Sequence, residues 1–210
     1  NSISSGSNNV FLGCYAGGNL QTGSCNIAFG TQAMTGTVTG GNNIAMGWRA
    51  GRFLTGGEYN IMLGHCAAAS ISTGYCNVVI GACAGCKVDD HSFNVFLGSS
   101  AGRCSEGDYN IAIGCDAGCG MTSGDYGIFL GQSAGKFVTT GNKNIAIGQL
   151  AMGGATVSGH YNVVFGPRAG CILSSGISNF FGGYSAGRNN STGGRNTFIG
   201  SYAGQDNQSG

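Results

Sequence analysis

Asn26-Ile27-Ala28-Phe29-Gly30-Thr31-Gln32-Ala33 returns, with substitutions, from one end of the chain to the other. Asn followed by Val or Ile recurs at Asn9, Asn26, Asn43, Asn60, Asn77, Asn94, Asn110, Asn144 and Asn162. Asn179 and Asn196 continue the series before Phe180 and Thr197, and Gly127 stands where one Asn is missing. The spacing is 17 residues, with one coil of 16 and one of 18, which makes twelve copies in 210 residues. A fixed short period marks a repeat architecture, in which a unit buries its apolar face only by stacking on its neighbours.

Within a unit, the position after Asn carries Val10, Ile27, Ile44, Ile61, Val78, Val95, Ile111, Ile128, Ile145 and Val163. These β-branched residues favour strands. Two residues on stand Leu12, Phe29, Met46, Leu63, Ile80, Leu97, Ile113, Leu130, Ile147, Phe165 and Ile199, with Gly182 the exception. Period two predicts that both columns share the inner face of a short strand. A Gly follows in every unit, from Gly13 to Gly200, and an Ala three residues later, from Ala16 to Ala203. They predict a turn that needs positive φ and a tight inner corner. A second apolar residue often follows, as Leu20, Leu54, Ile71, Val88, Met121, Val138 and Leu173, and predicts a second strand that ends in Thr or Ser and Gly. Two strands and two glycine corners fit in 17 residues; a helix does not.

The expected fold is all-β: a parallel β-solenoid, or β-roll, of about twelve 17-residue coils with two short strands each, forming one repeat domain over residues 1–210. At a spacing of ~4.8 Å per coil, twelve coils make a rod of roughly 55–60 Å. Repeats that run to both ends without atypical capping units predict a segment of a longer fibre. The Asn column has two readings, a ladder of stacked amides or a turn residue that tolerates unusual φ. Its place directly before a strand favours the ladder.

Composition narrows the class. Gly is 43 of 210 without a three-residue period, which excludes collagen, and 41% apolar residues in regular order exclude a disordered linker. Only 8% of residues are charged and the net charge is +1, so no basic stripe points to nucleic acid. No run of 18 apolar residues predicts a membrane span. Between the two strand columns lie Phe11, Ala28, Ala45, Met62, Val79, Phe96, Ala112, Phe129, Ala146, Val164, Phe181 and Phe198, none of them polar. Period two places this column outside, where so long an apolar stripe predicts burial against other copies of the chain; the alternative is a thicker coil with both strand faces internal.

Asn43-Ile44-Ala45-Met46-Gly47, Asn110-Ile111-Ala112-Ile113-Gly114 and Asn144-Ile145-Ala146-Ile147-Gly148 resemble the repeats of trimeric autotransporter adhesin heads. Similar Asn/Gly/Ala repeats occur in bacteriophage tail fibres and other viral surface proteins. The resemblance covers the whole chain. It implies a parallel β-roll, left-handed in the adhesins, assembled as a homotrimer on a virion or cell surface, with attachment as its role. The unit here is longer than the typical adhesin repeat, and ten Cys are unusual for that family.

Reactive chemistry finds no pattern. Cys66 and Cys83 share a slot of neighbouring coils, and Cys86, Cys104 and Cys119 nearly share another, so one or two bridges are open to them. Cys14, Cys25, Cys76, Cys115 and Cys171 have no such neighbour, and free thiols packed as small apolar side chains are the favoured reading. Cys83-Ala84-Gly85-Cys86 lacks a second CxxC or a His pair at zinc spacing. Asp89-Asp90-His91 reads as a bulge or loop rather than a ligand set. His65 and His160 occupy different slots, and Glu58, Glu106, Asp108, Asp116 and Asp125 form no repeated acid–base pair. Catalytic, cofactor and metal residues are therefore assigned to none. Asn189, Asn190 and Asn207 begin glycan sequons that matter only in a chain secreted by a eukaryote.

Tyr59, Phe93, Tyr109, Tyr126 and Tyr161, each just before the Asn slot, are candidates for a sugar-stacking row or for packing over the turn; Trp48 with Arg49 is a second exposed candidate. The leading functional expectation is a structural fibre or adhesin segment, virion-borne or extracellular, with a cell-surface glycan or protein as receptor. Two alternatives stand beside it. An ice-binding rod would use the Thr/Ser column, which is interrupted at Gly56, Asp90 and Glu106, and a self-stacking filament would need no receptor.

Overall fold

The computed structural model describes residues 5–87 and 89–209. The chain forms two compact units, Asn1–Glu106 and Gly107–Gly210. The first holds β1 (Val10–Leu12), β2 (Ile27–Phe29), β3 (Ile44–Met46), β4 (Ile61–Leu63), β5 (Val78–Ile80) and β6 (Val95–Leu97). The second holds β7 (Ile111–Ile113), β8 (Ile128–Leu130), β9 (Ile145–Ile147), β10 (Val163–Phe165), β11 (Phe180–Gly182) and β12 (Thr197–Ile199). Each strand is three residues long, and no helix occurs among the described residues.

In both units every strand pairs in parallel with the equivalent strand of the next coil, which makes the fold a parallel β-solenoid. Val10 pairs with Ile27, Ile27 with Ile44, Ile44 with Ile61, and so on to Val95. Ile111, Ile128, Ile145, Val163, Phe180 and Thr197 form the same column in the second unit. The 18-residue coil from Asn144 to Asn162 keeps this register, so its extra residue is absorbed outside the strand.

The expected sidedness of the strand is reversed. Ala28, Ala45, Met62, Val79, Phe96, Ala112, Phe129, Ala146, Val164 and Phe181, expected outside, are fully buried, and Phe11 and Phe198 are half-buried. The β-branched column and the column from Leu12 to Ile199, expected inside, face out. The buried Asn explains the reversal: it stands two residues before the middle column, and side chains two apart on a strand share a face. Both strand faces are apolar, so hydrophobicity alone does not fix which one turns inward.

Among the described residues, the second strand expected in each coil is not formed. Leu20, Leu54, Ile71, Met121, Val138 and Leu173 are core residues, but their segments are turns, with one isolated bridge between Val138 and Val157; Val88 lies outside the described residues. Residues at positive φ between the strand and this second apolar position keep the chain curving. Arg49 has φ 57 and Cys66 has φ 53. Such residues normally cost free energy, and here the stack holds them in place: Arg49 N–H donates to Thr31 O at 3.0 Å and Cys66 N–H to Trp48 O at 2.8 Å.

The Asn column is a ladder. Asn60 N–H donates to Asn43 Oδ1 at 3.0 Å, and Asn60 Oδ1 in turn accepts from Asn77 N–H at 3.0 Å. Asn60 Nδ2 also donates to Gly74 O at 2.7 Å, tying the strand to the far corner of the next coil. Asn26, Asn43, Asn162 and Asn179 make the same amide-to-corner bond. These five amides are thereby satisfied in a site where an unpaired polar group would be expensive. At Gly127 the ring of Phe129 takes the space a side chain would need.

Candidate functional site

The outward strand columns are the most distinctive surface. In the first unit they run from Val10 and Leu12 to Val95 and Leu97; in the second, from Ile111 and Ile113 to Thr197 and Ile199. No charged residue interrupts them, and Thr197 is the one polar side chain. Phe29 is 47% exposed and Met46 42%, while Ile44 and Ile61 are half-buried by their own neighbours. Six strands at ~4.8 Å spacing, each showing two apolar side chains except where Gly182 and Thr197 stand in the second unit, present a strip of roughly 300 Å² per unit. That is the scale at which an exposed apolar patch marks an interaction surface.

Among the residues singled out before the Asn slot, Tyr109 and Tyr126 stack with centroids 4.9 Å apart and planes 1° apart. Lys143 Nζ lies 5.9 Å from the Tyr126 ring and 5.4 Å from that of Tyr161. Tyr75, one position earlier in its coil, meets Phe93 edge-on at 5.1 Å. These rings lie against one another or beneath a cation, and Tyr59 is 58% exposed. In the first unit Trp48 stacks on His65 at 4.7 Å, with Arg49 Cζ 4.0 Å from its centroid.

The titratable groups are dispersed. Asp90 Oδ1 accepts from Thr73 N–H and Oγ1–H, which makes Asp90 a cap for the coil before it, and the His91 carbonyl takes the corner role that Gly fills elsewhere. His160 Nδ1 accepts from Asn142 N–H at 2.9 Å. Asp125 Oδ1 accepts from Asp108 N–H at 2.9 Å, and Asp116 pairs with Lys136 at 3.1 Å. No group of three or more His, Cys, Asp or Glu among the described residues is placed to hold a metal ion.

All ten cysteines are thiols. Burial pushes the Cys66 thiol above its ordinary pKa and the Cys83 thiol adds to this, against the pull of Arg49 and Arg52. Cys86 and Cys171 are raised by burial as well. Of the sequon residues, Asn190 is fully buried and Asn189 Nδ2 bonds Asp206 Oδ1 at 3.2 Å. Asn207 is half-buried. In the Thr/Ser column, the Thr73 hydroxyl is bound to Asp90 and that of Thr39 bonds Thr55 O at 3.4 Å.

Sequence reasoning missed the cleft on the first unit formed by Tyr15, Asn19, Gln32, Thr35, Arg52 and Phe53, about 670 Å³ in volume. Its lining comes from three successive coils, so no local motif announces it. Comparisons with protein-family models, with curated proteins and with solved structures return no match.

Proposed function

We propose that this chain is a structural segment of a surface fibre or adhesin head, virion-borne or extracellular, which assembles with copies of itself, as a trimer, through the outward strand columns. The observation that carries this reading is the uncharged apolar strip on each unit. An apolar, β-branched face of this kind gains about 25 cal/mol for each Å² it removes from water. Identical chains around a rotation axis supply the same surface to each neighbour and close the assembly. The repeat then provides length and stiffness, and the loops on the other faces are free to meet a receptor.

Light scattering on the purified chain tests the reading. The expected mass is three times 21.0 kDa, and Ile80→Lys or Ile113→Lys, each placing a charge in the strip, shifts it toward the single-chain value. A wild-type monomer at micromolar concentration overturns the proposal. Open-ended filaments under the electron microscope would instead favour the self-stacking alternative. Ice binding draws less support, because the Thr/Ser residues form one interrupted column with hydroxyls engaged by the next coil.

A further inference from the structure

The cleft on the first unit combines three features. Its lining contains a cation and no carboxylate. Arg52 makes no ion pair among the described residues; its guanidinium lies 4.8 Å from the Phe53 centroid, which leaves the N–H fork open to an acceptor. The amides are oriented by their neighbours. Arg49 Nε donates to Gln32 Oε1 at 2.8 Å, so the Gln32 amide keeps its NH₂ as a free donor. Asn19 Nδ2 donates to Thr35 O at 2.9 Å, so among the described residues Asn19 keeps Oδ1 as a free acceptor. Thr35 Oγ1 donates to Arg52 O at 3.2 Å and fixes the backbone that carries the cation. Finally, Tyr15 is 67% exposed and stacks on no other ring among the described residues, unlike Tyr109 and Tyr126.

We infer that this cleft binds a carboxylated pyranose, a sialic or uronic acid residue at the end of a glycan. A planar guanidinium meets a carboxylate through two parallel hydrogen bonds. Gln32 donates to, and Asn19 accepts from, sugar hydroxyls; the Tyr15 ring offers a flat apolar surface for the C–H face of the pyranose. A volume of about 670 Å³ is in the range of small-ligand sites. The inference rests on the attachment reading, for which it supplies the receptor chemistry.

The test is a titration of the purified chain with sialyllactose, with a glucuronate-terminated disaccharide and with neutral lactose, followed by amide chemical shifts. Saturation by at least one acidic sugar is expected, at a Kd of roughly 0.1–10 mM for so small a ligand, with shifts centred on Tyr15, Gln32 and Arg52. The acidic sugar that binds more tightly identifies the source. Lactose and the Arg52→Gln variant each lose about tenfold or more, while Tyr15→Ala weakens acidic and neutral sugars alike. Equal affinity for lactose, an unchanged Arg52→Gln affinity, shifts centred elsewhere, or no saturation at about 50 mM sugar overturns the inference. A chain that assembles but binds no sugar removes the cleft and leaves the fibre reading standing; a monomer that binds the acidic sugar does the reverse.

Discussion

The ring of Phe129 lies across Gly135, in the place where a β-carbon on that residue would stand. Phe96 over Gly102 and Phe181 over Gly187 repeat the relationship, with distances to a built β-carbon of 2.5 and 2.7 Å. At Ala28 and Ala146 the slot six residues on is instead filled by Met34 and Met152, whereas over Gly51 and Gly118, which follow Ala45 and Ala112, the space is taken by Met62 and by Met121 with Phe129. Met62 with Ala68 lies between. The space beside each middle residue is therefore filled either by the slot six residues on or by a neighbouring side chain, as close packing demands. Phe129→Ala alone is expected to cost about 3–5 kcal/mol. Adding Gly135→Met should recover at least about 1 kcal/mol of that, because Met34 and Met152 occupy the slot at φ 50 and 49. Denaturant midpoints of the two single variants and the double variant check this; simple additivity would contradict the pairing.

Asn60→Asp converts a satisfied amide into an acid facing Gly74 O and Asn43 Oδ1, both acceptors to which only the protonated form can donate. Burial and these acceptors raise the folded-state pKa above the unfolded value of about 3.9. Below about pH 4 both states carry the proton and the variant approaches wild-type stability. As pH rises the unfolded state ionises first, and stability falls by about 1.4 kcal/mol per unit until the folded pKa is reached. Thermal melts between pH 3 and 7 measure the slope; a variant more stable at pH 7 than at pH 4 would contradict the ladder.

Asn190 is fully buried with no hydrogen-bond partner among the described residues on either side-chain atom, at the coil position that holds Leu173 in the preceding repeat. Replacing an unpaired buried amide by the apolar residue its column uses removes a desolvation cost of about 1–3 kcal/mol. Asn190→Leu is therefore expected to raise the unfolding free energy by about that amount, read from urea denaturation.

The repeat, its in-register stacking and the Asn ladder were legible in the sequence because each leaves a period. Sidedness was not, because Ile61 and Leu63 are as apolar as Met62, and a three-residue strand gives hydrophobic periodicity nothing to alternate against. Two signals in the sequence do point to the inner face. Asn60 shares the parity of Met62, and a ladder of amides belongs inside. In the coils where the middle residue is Phe the slot six residues on is always Gly, and the two Met in that slot follow Ala28 and Ala146, a matching of sizes that a packed core requires. The turns that replace the expected second strand stayed hidden because Arg49, Cys66 and Tyr59 do not announce positive φ as Gly does. The cleft stayed hidden because Tyr15, Gln32 and Arg52 meet only through stacking.

Cys171 gives a pH signature on the alkaline side. Burial, the dominant influence, raises its thiol pKa, and Arg188 and Arg168 oppose it more weakly. A thiol raised on folding keeps its proton while the unfolded chain loses one, so its contribution to stability is present below the unfolded value of about 8.5 and is lost as pH climbs from there to the raised folded value. Cys171→Ala should flatten the fall in stability between about pH 8 and 10, and iodoacetamide should label native Cys171 more slowly than the unfolded chain at pH 8. Mass-spectrometric labelling rates report both states.

Two substitutions at positive φ should move stability in opposite directions, and together they separate strain from steric exclusion. Gly47 has φ 133, and a β-carbon there would stand 2.5 Å from Gly64 O in the next coil. The backbone conformation and the stack both refuse a side chain, so Gly47→Ala is expected to cost about 3 kcal/mol or more. Ser133 has φ 55 with its side chain half-exposed, and its N–H donates to Cys115 O at 2.9 Å, a bond that glycine would keep. Relief of left-handed strain, about 1–2 kcal/mol, outweighs the extra chain entropy of glycine, about 0.5–1 kcal/mol. Ser133→Gly should therefore leave the protein more stable by about 0.5 kcal/mol, or unchanged within error. A loss above about 1 kcal/mol in Ser133→Gly would mean that the stack does not hold that residue in a strained conformation.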